Sequence, residues 1–210
     1  MAAIPLVVLY GLSAIAQFEF LFGQVRKLTA GPDLTLVLTI LSKSALVLFA
    51  IVVIGLLFAR RPPRGTARGM LPRIIAILGT YLGSVLLMVP QREHSPWILA
   101  LSAAVILGGT AFAVYALLFL GRSLSMMPEA RRLVTKGPYS IVRHPLYLGE
   151  QIAFLGAALQ FPSIWTPVVF TAQLCCQLYR MHFEEKVLKE SFEEYRAYSA
   201  RTFRILPWLY

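Results

Sequence analysis

The sequence predicts an all-α fold, a polytopic integral membrane protein of five to six transmembrane helices with a C-terminal helical hairpin. Three observations carry this expectation. First, 58% of the 210 residues are hydrophobic and only 14% are charged, with a mean hydropathy of +0.69. A soluble domain is about 45–50% apolar and about 25% charged. Second, apolar runs recur at 4–22, 34–59, 71–90, 96–120, 146–161 and 163–181. Third, the basic residues gather in the short segments between those runs, so that buried surface is shared among helices and lipid rather than one aqueous core.

Taken in order, the first four runs have the roughly 20 helical residues that a hydrocarbon core about 30 Å thick requires. The first lacks a basic stretch ahead of it and a small-x-small cleavage site, so it is expected to remain as a span. The last two are shorter or more polar and are separated by Phe161, Pro162 and Ser163. Proline cannot continue a helix without losing a hydrogen bond, which predicts a hairpin bent at Pro162. Beyond residue 182 the chain is charged, yet Val187, Leu188, Phe192 and Tyr195 recur at helical spacing. This fits either a tail helix lying amphipathically on the cytoplasmic surface or a continuation of the preceding span into water. Trp208 and Tyr210 are candidate interfacial anchors.

A formal charge of +10 raises nucleic acid as a partner, but its distribution matches the positive-inside bias and contact with anionic headgroups instead. The stretch Arg60 to Arg73 holds five arginines and no acid, which predicts a cytoplasmic loop. Gln91 to Pro96 is neutral and is expected outside, and 121–145 returns to the cytoplasm, so both termini fall inside. The loop at 23–33, with Arg26 and Lys27 against Asp33, fits this less well. Cys175 and Cys176 are adjacent in an apolar run, without disulfide or metal spacing, and no metal is expected. Glu19 and Lys43 are ionisable groups within spans, near enough to predicted ends for snorkelling to account for them.

Nearly all residues capable of chemistry lie in the last part of the chain. In Lys136 to Glu150, "KGPYSIVRHPLYLGE", Gly137-Pro138 marks a turn. Pro145 pushes His144 towards extended geometry and suits the first turn of a following helix. Such a helix start offers free N–H groups to a carboxylate or phosphate. Tyr139 and Tyr147 flank it, as ring-stacking faces or as interface aromatics. In Leu178 to Leu188, Arg180 and Glu184 share one helical face. There Arg180 could orient an anionic acceptor bidentately, and Glu184 could accept from a ribose diol or pair with an ammonium. Glu185 competes for that role.

Together "LVTKGPYSIVRHPLYLG" (Leu133 to Gly149), "RMHFEEKVL" (Arg180 to Leu188), "EEYRAY" (Glu193 to Tyr198) and "ILP" (Ile205 to Pro207) resemble the isoprenylcysteine carboxyl methyltransferase family of integral-membrane enzymes. Phospholipid methyltransferases are close relatives. The resemblance covers roughly 117–207, which divides the chain into scaffold helices at 1–116 and a cofactor-binding region at 117–210. It implies an all-helical enzyme that uses S-adenosylmethionine without a Rossmann-type domain, and no GxGxxG is present here. Matching positions put cofactor contacts on Leu133, Val134, Tyr139, His144, Pro145, Leu146, Tyr147 and Glu184. They make Arg180 the catalytic residue that orients the acceptor.

The implied reaction joins a water-soluble methyl donor to a lipophilic acceptor from the bilayer, an isoprenylcysteine-type carboxylate or a lipid headgroup. A carboxylate acceptor needs no general base, whereas an amine would need a proton removed, with His144 or Glu185 to assist. The amino-terminal half carries no motif, and acceptor selectivity is expected there. Two rival readings remain. One is a sterol-reductase-type enzyme binding NADPH, with Arg122, Arg131 and Arg132 for a 2′-phosphate. The other is a non-catalytic membrane scaffold.

Overall fold

A computed structural model describes residues 4–28, 31, 33–83, 95–125 and 127–208. The chain is mostly helical. Helix α1 (Ile4–Leu28) packs on α2 (Leu34–Ala59), and α2 packs on α4 (Pro96–Leu120). Between them α3 is short, Leu71–Tyr81. The remainder of the run expected at 71–90, and most of the loop expected outside at 91–96, lie outside the described residues. Among the described residues, two segments are long and apolar enough to cross a membrane by length and composition, Leu34–Ala59 and Pro96–Ser123. Their outer faces expose large apolar side chains such as Leu48, Ile51, Phe58, Trp97 and Leu118, as lipid contact requires.

The hairpin forms where proline predicted it. Helix α5 (Pro145–Ala158) ends in a turn in which Phe161 N–H donates to the Ala158 carbonyl at 3.0 Å, and Pro162 follows in the connection to α6 (Trp165–Ser191). With 14 residues, α5 is about 21 Å long at 1.5 Å per residue, short of a full hydrocarbon core. Helix α6 has 27 residues without a break. It therefore carries the motif Arg180 to Leu188 outward on the same rod, and of the two tail alternatives the continuation is the one formed. A separate short helix, α7 (Tyr195–Ala200), follows.

Helices α4 and α5 touch backbone to backbone. A Cβ on Gly109 would fall 2.4 Å from the Ala153 nitrogen, one on Gly149 2.6 Å from that of Ala113, and one on Gly156 2.8 Å from that of Ile106. Small residues permit this approach, and close packing is what associates helices in lipid. Ser102 on α4 donates to the Gly156 carbonyl at 2.7 Å, and Gln160 donates to the same hydroxyl at 2.6 Å. On the other side α3 lies against α6, where a Cβ on Gly79 would meet Cys176 Cβ at 3.2 Å and Arg180 Cδ at 3.3 Å. Both cysteines are free thiols.

Two features depart from a purely helical reading. Strands β1 (Gly65–Thr66) and β2 (Glu129–Ala130) pair antiparallel, because the arginine-rich segment and the segment after α4 satisfy each other's backbone. Arg61 N–H donates to the Arg122 carbonyl at 2.9 Å and Arg64 N–H to that of Ala130 at 2.7 Å. The tail also runs alongside 141–144. Arg143 N–H donates to the Phe203 carbonyl at 2.8 Å, His144 N–H to that of Arg204 at 3.1 Å, and Phe203 N–H to that of Ile141 at 3.0 Å. The boundary expected at 116/117 falls inside α4. Of the candidate anchors, Trp208 is exposed and Tyr210 lies outside the described residues.

Candidate functional site

The loop from Leu133 to His144 folds over α6 because three chain segments grip it. Tyr198 donates its hydroxyl to the Tyr139 carbonyl at 2.7 Å, the tail bridges Val142, and Glu185 anchors its end. Arg143 Nε and His144 Nε2 each lie 3.1 Å from Glu185 Oε1, and Arg204 Nε lies 3.2 Å from the same oxygen. Arg143 Nη1 also donates to the carbonyls of Ser199 and Thr202, both at 2.7 Å. Burial alone would raise the Glu185 pKa. The His144 hydrogen bond and the charges of His144, Arg204 and Arg143 outweigh it and pull the carboxyl down to about 2. Glu185 is a clamp holding loop, helix and tail together.

This arrangement separates the two adjacent glutamates. Glu184 turns to the opposite side, where Tyr147 donates its hydroxyl to Oε1. It borders a cavity that collects Leu133, Val134, Tyr139, His144, Leu146, Tyr147 and Glu184, seven of the positions named from the sequence. Pro145 does not line the cavity. It is fully buried in the first turn of α5, below the surface that its neighbours present. Glu185 does not line it either, so the competition between the two carboxylates resolves by direction, one to the cavity and one to the clamp. His144 is the N-cap residue of α5, with φ −125° and ψ 54°, which falls short of the extended geometry expected ahead of Pro145. Its ring lies 5.7 Å from that of Tyr147, nearly parallel.

Further residues complete the cavity that the sequence did not point out as contacts, among them Glu129, Arg131, Tyr195 and Tyr198. Arg131 is 6% exposed and pairs through Nη2 with Glu129 at 2.5 Å. Its Nε and the Tyr195 hydroxyl are buried without a protein partner. The stretch "EEYRAY" was part of the resemblance, and the helical spacing of Tyr195 and Tyr198 was the available signal. The arginines considered for a 2′-phosphate are largely engaged elsewhere. Arg122 Nε donates to the Ala59 carbonyl at 2.7 Å and so caps α2, and Arg131 is held by Glu129.

Arg180 stands apart from this set. It is 3% exposed, and its guanidinium carbon sits 4.9 Å above the Tyr147 ring. It borders a second, more apolar cavity with Leu46, Phe49, Gly79, Ile106, Glu150, Phe154, Gln173 and Gln177. The stacked pair of Tyr147 and Arg180 thus stands between the two cavities, Tyr147 facing one and Arg180 the other. Among the described residues no group of His, Cys, Asp and Glu has the arrangement of a metal site.

A family model described as phospholipid methyltransferase covers the stretch from α4 through the first residue of α7. Residues 97–195 match the phospholipid methyltransferase family. The resemblance read from the sequence is therefore borne out. Among curated proteins the chain is similar to protein-S-isoprenylcysteine O-methyltransferase B of Arabidopsis thaliana, 27% identical over 66% of this chain and 73% of that protein. It is also similar to the cobalt-zinc-cadmium resistance protein CzcN of Cupriavidus metallidurans, 26% identical over 63% of this chain and 62% of that protein. The nickel-cobalt-cadmium resistance protein NccN of Alcaligenes xylosoxydans xylosoxydans is 30% identical over 60% of this chain and 61% of that protein. The match thus spans less than two thirds of the length of either resistance protein. The matched family segment contains every residue named above for the first cavity except Tyr198, whereas Leu46, Phe49 and Gly79 of the second cavity lie outside it.

Proposed function

We propose that this chain is an S-adenosylmethionine-dependent membrane methyltransferase acting on a lipophilic acceptor at the cytosolic boundary of the bilayer. The observation that carries the reading is the first cavity, whose unsatisfied polar atoms fit the donor. An Arg131 Nε and a Tyr195 hydroxyl without protein partners suit the carboxylate of its amino-acid end. Glu184 suits an ammonium or a ribose diol, and the faces of Tyr139 and Tyr147 suit a flat base or a sulfonium. When bound, S-adenosylmethionine supplies a methyl group on a positively charged sulfur.

The residues of the chain then have mainly to align and to exclude water, since positioning alone is worth several kcal/mol. Tyr147, fixed by its hydrogen bond to Glu184 and covered by Arg180, holds the wall between donor and acceptor sides. Arg180 orients the acceptor from the second cavity. In this reading both termini and the arginine-rich loop face the cytosol, residues 1–116 form the scaffold, and five to six segments enter the membrane.

Calorimetry on purified protein in detergent tests the donor assignment, with S-adenosylmethionine and NADPH titrated in parallel. Binding of the first and not the second is expected, followed by labelled-methyl transfer into a membrane lipid extract. Preference for NADPH, or no transfer across varied extracts, refutes the proposal.

A further inference from the structure

Helices α2 and α4, the two segments long and apolar enough to cross a membrane, finish side by side. Arg122 Nε donates to the Ala59 carbonyl at 2.7 Å, and Arg61 N–H donates to the Arg122 carbonyl at 2.9 Å. The segment from Arg60 to Arg73 therefore starts at the level where a headgroup layer would lie. It carries five arginines and no acid. Arg61, Arg64, Arg68 and Arg73 are exposed, and among the described residues none of the five holds an ion pair. Between the last two arginines stand Met70 and Leu71, 74% and 61% exposed. Met70 opens a face that α3 continues with Ile74, Ile77 and Leu78, all exposed. Cations flanking an exposed apolar pair suit a bilayer surface, where phosphates meet the arginines and acyl chains meet the apolar pair. A soluble acidic partner would leave that pair in water.

The same segment is bonded to the wall of the first cavity. Arg64 N–H donates to the Ala130 carbonyl at 2.7 Å, and Ala67 N–H to that of Pro128 at 2.9 Å. These two bonds bracket Glu129. Glu129 and Arg131 both line the cavity and pair with each other at 2.5 Å.

We infer that Arg60 to Arg73 is a docking surface for anionic phospholipid headgroups, and that lipid seated there steadies Glu129 and Arg131 in the donor cavity. The link to the cavity rests on the donor reading above; the docking surface does not.

The test needs no turnover. The full chain is placed in nanodiscs of phosphatidylcholine alone, or of phosphatidylcholine mixed equally with phosphatidylglycerol. Amide hydrogen exchange is read over residues 61–69, and S-adenosylhomocysteine is titrated into both samples. In the anionic discs exchange is expected to slow about fivefold or more, which is what one arginine gains at an anionic surface. S-adenosylhomocysteine is expected to bind about fivefold more tightly there, a modest coupling between two sites. Both effects should fade as salt rises to about 1 M, where the screening length is about 3 Å. Arg61→Gln combined with Arg68→Gln should abolish both, and the matching pair of lysine substitutions should keep them, because the attraction is one of charge. The salt series on the unchanged chain decides the matter even where a variant fails to fold. Equal exchange in the two discs, protection that survives high salt, or protection untouched by the glutamine pair overturns the docking surface. Slowed exchange with unchanged S-adenosylhomocysteine affinity overturns the link to the cavity. No S-adenosylhomocysteine binding in either disc, with the protection intact, refutes the donor reading and leaves the surface standing.

Discussion

Replacing Glu185 by glutamine tests how the site is held together. One oxygen of this side chain receives Arg143, His144 and Arg204 at 3.1–3.2 Å, with the carboxyl side chain 12% exposed. Glutamine keeps the shape but removes the charge that these partners face. The carboxyl is displaced from an ordinary 4.5 to about 2, a gap worth about 3 kcal/mol. That agrees with the roughly 3–5 kcal/mol typical of breaking a buried charge pair from one side. In a chain of this size each kcal/mol moves Tm by roughly 2–4 °C, so Glu185→Gln is expected to melt about 6–12 °C lower in detergent. The sign with pH follows from the depressed value. The stabilisation is complete above 4.5 and is lost as pH falls towards about 2. The unchanged chain should therefore lose Tm across that window while Glu185→Gln loses much less. Equal melting at neutral pH, together with parallel acid profiles, would refute the clamp.

Three further outcomes are expected. Gly109→Ala should cost about 1–3 kcal/mol or more by overpacking against backbone, whereas its neighbour Gly108, with nothing within 4 Å, should tolerate alanine or gain up to about 1 kcal/mol; thermal melting of the two variants side by side reads this. Tyr195→Phe should leave Tm unchanged, because its hydroxyl has no protein partner, and should weaken S-adenosylhomocysteine binding by about threefold to tenfold in calorimetry. Arg180→Lys keeps the charge but loses the planar fork over Tyr147. Labelled-methyl transfer should fall at least about tenfold, with donor affinity staying within about threefold.

The helices, the bend at Pro162 and the shared face of Arg180 and Glu184 could be read from local patterns, since periodicity, proline and a spacing of four act within a few residues. So could the loop from Leu133 to Tyr147, whose cavity-lining members the fold does bring together. What was not legible depends on chain segments that meet only after folding. Nothing local distinguishes Glu184 from Glu185; their roles separate because Arg143 and Arg204, 42 and 19 residues away, converge on one of them. The parallel pairing of 141–144 with 203–204 uses backbone groups, which carry no side-chain signature. The close approach of α4 and α5 needs Gly109 opposite Ala153 and Gly149 opposite Ala113, a registration between helices that neither sequence declares alone. Pro145 was legible as a helix starter, and in that place it is buried in the first turn of α5 and off the cavity wall.

Because α6 is unbroken, Arg180 and Glu184 are separated by a fixed rise of about 6 Å along the axis. A helix does not stretch, so on the two-cavity reading it works as a caliper, with the reacting end of any acceptor set at one jaw. Differences in acceptor length must then be absorbed about a turn deeper, where Gly83 lies so near Phe154 that an added carbon would meet the ring at 3.1 Å. Enlarging that glycine would shorten the longest tail the protein admits while leaving the reacting end where it was.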